Sequence, residues 1–63
     1  MSFPENLKRI RAEKGFTQQY LADALGVTRS SVAAYECGRI EPSIEKILVL
    51  SSSLGASLDE LMR

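Results

Sequence analysis

Sixty-three residues, 44% hydrophobic and 25% charged, describe one small domain spanning 1–63, and this apolar fraction argues against intrinsic disorder. Eight basic residues balance eight acidic ones, so the chain lacks the basic excess usual in tight nucleic-acid binders. No apolar run approaches the roughly 20 residues of a membrane span, and a chain this short buries only about 60% of its unfolded surface, so its stability is modest.

The first helix is expected to begin near Pro4 or Glu5, since proline is tolerated in a first turn and Glu5 faces the positive end of the helix dipole. Leu7 and Ile10, three residues apart, point inward, and Arg11 lies four residues after Leu7, on or beside that face. Gly15 ends this helix, and Phe16 packs back over its last turn. A second helix is expected over Gln18–Leu25, with Thr17 as N-cap and Leu21, Ala22 and Leu25 on one face. Gly26 stops it, because glycine reaches positive φ without a Cβ clash.

Thr28 caps a third helix over Arg29–Cys37, with Val32 and Tyr35 turned inward and Gly38 at its end. Pro42 forces Glu41 out of the helical region, and Ser43 caps a fourth helix. There Ile44, Ile47, Leu48, Ser51 and Leu54 follow at helical spacing, which carries the helix through Ser51–Ser53 to Gly55. The last helix opens on Ser57, with Glu60 three residues on as the partner of a capping box. Leu58, Leu61 and Met62 are its apolar residues.

The two threonine-capped helices joined at Gly26 read as a helix-turn-helix. The spacing of Leu21, Ala22, Leu25, Gly26, Val27, Val32 and Tyr35 resembles that motif's signature at all seven of its apolar, small or glycine positions. The flanks extend the likeness. LKRIRAEKGFTQQYLADALG, YECGRIEPS and LGASLDELM resemble the phage-repressor-like (Xre-type) family of DNA-binding domains, from about Leu7 to Met62. The resemblance implies an all-α, compact five-helix lambda-repressor-like domain that binds double-stranded DNA.

An α-helix fits the DNA major groove, and in a helix-turn-helix the N-terminal part of the second helix reaches the base edges. That turns Arg29, Ser30 and Ala34 outward, and the resemblance places base-reading side chains at these positions. An arginine bonds guanine bidentately, worth about 1–3 kcal/mol of discrimination. Ala33 and Ala34 depart from the family's longer polar side chains, which leaves thymine-methyl contact, helix filling and a protein contact as open readings. The second helix offers unpaired N–H groups beside Gln18 as an anion site. The resemblance likewise assigns Gln18 a phosphate contact, together with Thr17, and Arg39 stands where it can meet another phosphate. Lys8, Arg9, Arg11 and Lys14 crowd the first helix, so a neutral chain can still present one positive face.

Glu36, four residues after Val32, also turns inward, and the resemblance implies a buried ion pair between Arg11 and Glu36. Leu58, Leu61 and Met62, with Leu50, either supply a homodimer surface or close the monomer's own core. The leading expectation is a repressor acting as a homodimer on near-palindromic DNA. A protein-interaction module on the same fold, antitoxin-like or adaptor-like, is the alternative that zero net charge and the paired alanines support.

Enzymatic chemistry finds no footing. There is no histidine, Cys37 is a single cysteine with no imidazole partner, and no glycine-rich phosphate loop is present. No metal-ligand cluster, cofactor motif or small-molecule pocket is evident. The N-terminal MSFPENLKR lacks an apolar signal core, and a lone cysteine fits a reducing cytoplasm.

Overall fold

Each helix opens on a serine or threonine, and the first four close on a glycine. The computed structural model describes residues 2–63, and among them the elements are α1 (Phe3–Lys14), α2 (Gln18–Leu25), α3 (Arg29–Cys37), α4 (Ile44–Leu54) and α5 (Leu58–Met62). No strand occurs among the described residues. The hydroxyls of Thr17, Thr28, Ser43 and Ser57 accept from backbone N–H groups three residues on, at 3.0–3.3 Å.

α1 begins at Phe3, one residue earlier than the proline suggests, because Ser2 serves as its N-cap. The Glu5 carboxylate reaches back to the Ser2 hydroxyl at 2.8 Å and its backbone N–H at 3.1 Å. These bonds favour the charged form, hydroxyl first, and hold the Glu5 carboxyl below its ordinary 4.5. Glu60 does the same for α5. Its carboxylate accepts the Ser57 N–H at 3.0 Å, and its carboxyl is likewise lowered.

Gly26 makes the corner of the helix-turn-helix at φ 71°, and the Val27 N–H closes the turn on the Ala22 carbonyl at 3.0 Å. Ala22 is fully buried where α3 packs across α2. Gly38 answers a second constraint besides its φ of 77°: a Cβ there would stand 3.4 Å from the Pro4 ring.

The core draws Leu7 and Ile10 from α1, Leu21 and Ala22 from α2, Val32 and Tyr35 from α3, Leu50 and Leu54 from α4, and Leu61 from α5. Two expectations are corrected here. Leu50 and Leu61 are both fully buried, so neither lies on a surface that a second copy can reach. Ile44 and Leu48, expected to face inward, are 73% and 50% exposed. The reason is one of phase. α4 carries apolar side chains around most of its circumference, and at about 100° per residue the stripe through Leu50 and Leu54 is rotated roughly 120° from the edge through Ile44 and Leu48. That stripe meets the core, which leaves the Ile44–Leu48 edge in water. Ser51 stays helical and satisfies its hydroxyl on the Ala56 carbonyl at 2.5 Å.

One buried polar residue has a structural role that its type conceals. Asn6 is 1% exposed, and its side-chain amide donates to the Leu61 carbonyl at 3.1 Å and the Arg63 carbonyl at 2.9 Å. The first helix therefore caps the last. The signal is in the spacing, since Asn6 falls three residues after Phe3 and four before Ile10, on the apolar face of α1.

Candidate nucleic-acid interface

Thr28 holds the first turn of α3 open toward solvent, with its hydroxyl on the Ser31 N–H at 3.2 Å. Arg29 and Ser30 follow directly, and both are exposed. Ala34 lies one turn beyond Ser30 on the same face and is half-buried, as is Ala33. The outer face of α3 is therefore low and smooth behind a single long side chain. Such a face lets the helix backbone approach a partner closely, with one guanidinium standing out from it.

Arg29 is held at its guanidinium. Its Nη1 donates to the Gln18 Oε1 at 3.1 Å, which ties the start of α3 to the start of α2. Gln18 is in turn half-buried, and its Nε2 donates to the Glu36 Oε1 at 3.0 Å. The Glu36 side chain, only 3% exposed, also accepts from the Arg11 Nε at 2.6 Å and Nη2 at 3.2 Å. The Arg11 Nη1 completes its fork on the Phe16 carbonyl at 2.8 Å. Three helices thus meet in one chain of hydrogen bonds, and no buried side-chain polar atom among the described residues lacks a partner. A buried carboxylate is tolerable only when paired and fully hydrogen-bonded, and Glu36 meets both conditions.

The remaining sequence-predicted positions are spread around this network. Thr17 is exposed, and its hydroxyl oxygen caps the Tyr20 N–H at 3.0 Å. A hydroxyl that accepts in this way still carries a proton to donate. Arg39 is exposed just beyond the Gly38 cap, with its backbone N–H on the Ala34 carbonyl at 3.0 Å. Lys8 and Lys14 are exposed on α1, whereas Arg9 is drawn to Glu13 at 3.3 Å. The basic cluster of α1 is smaller than its residue types suggest, because Arg9 and Arg11 both carry acidic partners.

Leu58 and Met62 are 43% and 53% exposed on α5. They sit four residues apart on α5, with Leu61 turned away from them into the core. Sequence reasoning missed the coupling of Gln18 to both Glu36 and Arg29, since nothing in helical periodicity reports contacts between helices. It also missed the inward amide of Asn6. Cys37 is exposed at the end of α3, and no group of metal-ligating side chains forms among the described residues. No helix is long and apolar enough to cross a membrane.

The comparisons with known proteins agree with this architecture. The family model described as "Helix-turn-helix" matches residues 7–61. The SPbeta prophage-derived HTH-type transcriptional regulator YonR of Bacillus subtilis is 44% identical over 61 residues, which cover 97% of this chain and 56% of that protein. The restriction-modification controller protein C.AhdI of Aeromonas hydrophila superposes with a TM-score of 0.87 at 35% identity, over 95% of this chain and 91% of that one. The P22 c2 repressor, solved in complex with a synthetic operator, superposes with a TM-score of 0.90 at 27% identity, over 100% and 96% of the two chains. The chain spans about half the length of two curated Bacillus subtilis relatives, 56% of YonR and 53% of the HTH-type transcriptional regulator YqaE. These relatives are transcriptional regulators rather than enzymes. With its signature, its five-helix frame and these likenesses in agreement, the chain belongs to the Xre-like helix-turn-helix family of DNA-binding regulators.

Proposed function

We propose that this chain binds double-stranded DNA in a sequence-specific manner, as a cytoplasmic repressor that pairs with a second copy on a near-palindromic operator. The observation that carries this reading is the start of α3. Arg29 and Ser30 are exposed in its first turn, and Arg29 is held by Gln18 of the preceding helix. Base reading is assigned to Arg29, Ser30 and Ala34, with the Arg29 guanidinium as the main discriminating group. Phosphate anchoring is assigned to Thr17, Gln18 and Arg39. The Thr17 hydroxyl and the second N–H of the Gln18 amide remain able to donate, and phosphate contacts fix register without carrying sequence. The P22 c2 repressor's likeness over the whole chain, with operator DNA bound to that protein, supports the DNA-binding reading. Leu58 and Met62 are the proposed pairing surface, and half-sites then lie one helical turn apart.

Selection of binding sequences from random duplexes at moderate salt tests the reading, with Arg29→Ala beside the wild type. A palindromic consensus that relaxes at one position per half-site in the variant is the expected result. Failure to enrich any duplex, together with capture of a tight protein partner, would turn the assignment to an interaction module.

A further inference from the structure

Glu36 is the end of a relay that reaches the DNA-facing helix start. An ionised carboxylate only accepts hydrogen bonds, so the side of the Gln18 amide that faces Glu36 must be its NH2. The amide is planar, and its oxygen therefore points the other way. That oxygen receives the Arg29 Nη1 at 3.1 Å. Had the amide been reversed, an NH2 would face a guanidinium, donor against donor, and Arg29 would be pushed off. Arg11 fixes the start of the relay, since its Nε and Nη2 hold both carboxylate oxygens of Glu36 in place.

We infer that Glu36 and Gln18 are positioning residues for base reading: the buried carboxylate sets the orientation of the Gln18 amide, and the amide oxygen sets the direction of the Arg29 guanidinium. The inference rests on the DNA-binding reading above. It assigns to the Arg11–Glu36 pair an effect on specificity besides its effect on stability. An arginine with one N–H already committed has fewer directions in which to seek a base, and pre-ordering a side chain before binding removes part of the cost of ordering it on DNA.

The geometry dictates what each substitution does. In Glu36→Gln, one oxygen and one NH2 replace the two oxygens that accept from Arg11 Nε, Arg11 Nη2 and Gln18 Nε2; with the oxygen on the short 2.6 Å bond to Arg11 Nε, the new NH2 faces both Arg11 Nη2 and Gln18. Gln18 then reverses to accept, and its own NH2 displaces Arg29. Gln18→Met removes the amide and leaves the Arg11–Glu36 pair whole, so it separates the relay from any loss of folding in the first variant.

The experiment measures binding of wild type, Glu36→Gln, Gln18→Met and Arg29→Ala to the selected consensus duplex, and to the duplex changed at the base pair that Arg29→Ala relaxes. Both relay variants are expected to lower the preference for that base pair by about tenfold, within the range of one bidentate contact. Neither is expected to lower it further in an Arg29→Ala background, because they act through Arg29. In the free protein, nitrogen-15 relaxation of the Arg29 Nε is expected to show an ordered side chain in wild type and a mobile one in Gln18→Met. Equal weakening of both duplexes by Gln18→Met, with Arg29 equally mobile in the two proteins, would overturn the relay and leave Gln18 a phosphate contact alone. A wild type that prefers no duplex at all would instead remove the DNA reading, and the relay's role with it.

Discussion

Around Glu36, where α1, α2 and α3 meet, the buried polar atoms are all hydrogen-bonded, whereas the outer faces of α4 and α5 leave Ile44, Leu48, Leu58 and Met62 in water. The first region is finished within the monomer. Its charges are matched, its donors are directed and its one long outward side chain is already tethered. The second region is unfinished, since apolar side chains gain from being covered and nothing in the monomer covers these. The proposed function asks for both kinds of surface: a side chain held in a definite place for DNA, and an apolar face for a second copy.

The largest expected effect breaks the finished region. Arg11→Met strands the Glu36 carboxylate in the interior, and loss of one partner from such a buried pair costs about 3–5 kcal/mol. Denaturant titration checks this, and a change under about 1 kcal/mol would show that water reaches Glu36 and that the network is looser than its geometry. The next effect sharpens the contrast within α5. Leu61→Ala is expected to cost about 2–5 kcal/mol, as for other fully buried leucines. Leu58→Ser, three residues away and exposed, is expected to leave monomer stability within about 0.5 kcal/mol. Sedimentation of the two variants should then show weaker self-association for Leu58→Ser alone.

Gly26→Ala comes third. No atom lies within 4 Å of the added Cβ, so its cost is that of φ 71° alone, about 1–2 kcal/mol in the same titration. The smallest effect is one of pH. The carboxyls of Glu5 and Glu60 are lowered in the folded state, so their contribution is complete above the ordinary 4.5 and is lost as pH falls through their lowered values. Both groups are fully exposed, so the expected change is confined to lower amide protection, relative to an unstructured chain at the same pH, in the first turns of α1 and α5 under acid.

The helices were legible in the sequence because their punctuation is chemical. Thr17, Thr28, Ser43 and Ser57 cap where hydroxyls are expected to cap, and Gly26 and Gly38 stop helices where positive φ is needed. Ser2 escaped notice because Pro4 offered a start of its own. The phase of α4 was not legible, since a helix apolar on most sides gives no local reason to bury Leu50 rather than Leu48. That choice is made by α1, α2 and α5 against it. The exposed Arg29 and Ser30 followed from helix phase. The link from Glu36 through Gln18 to Arg29 spans three helices, and it depends on distances that spacing along one helix cannot report.

The Asn6 amide has a consequence for the order in which this protein assembles and opens. Its two hydrogen bonds join residues 55 and 57 positions apart, nearly the whole chain. α5, at five residues, is far below the length at which a helix persists unaided. The α2–α3 pair, by contrast, forms across a short turn and pays little loop-closure entropy. α5 is therefore expected to dock late in folding. Once docked, it does not fray as a free end would, because releasing it strips the partners from an amide that is 1% exposed. The last helix acts as a latch on the first, and the proposed pairing of Leu58 and Met62 with a second copy would depend on that latch being shut.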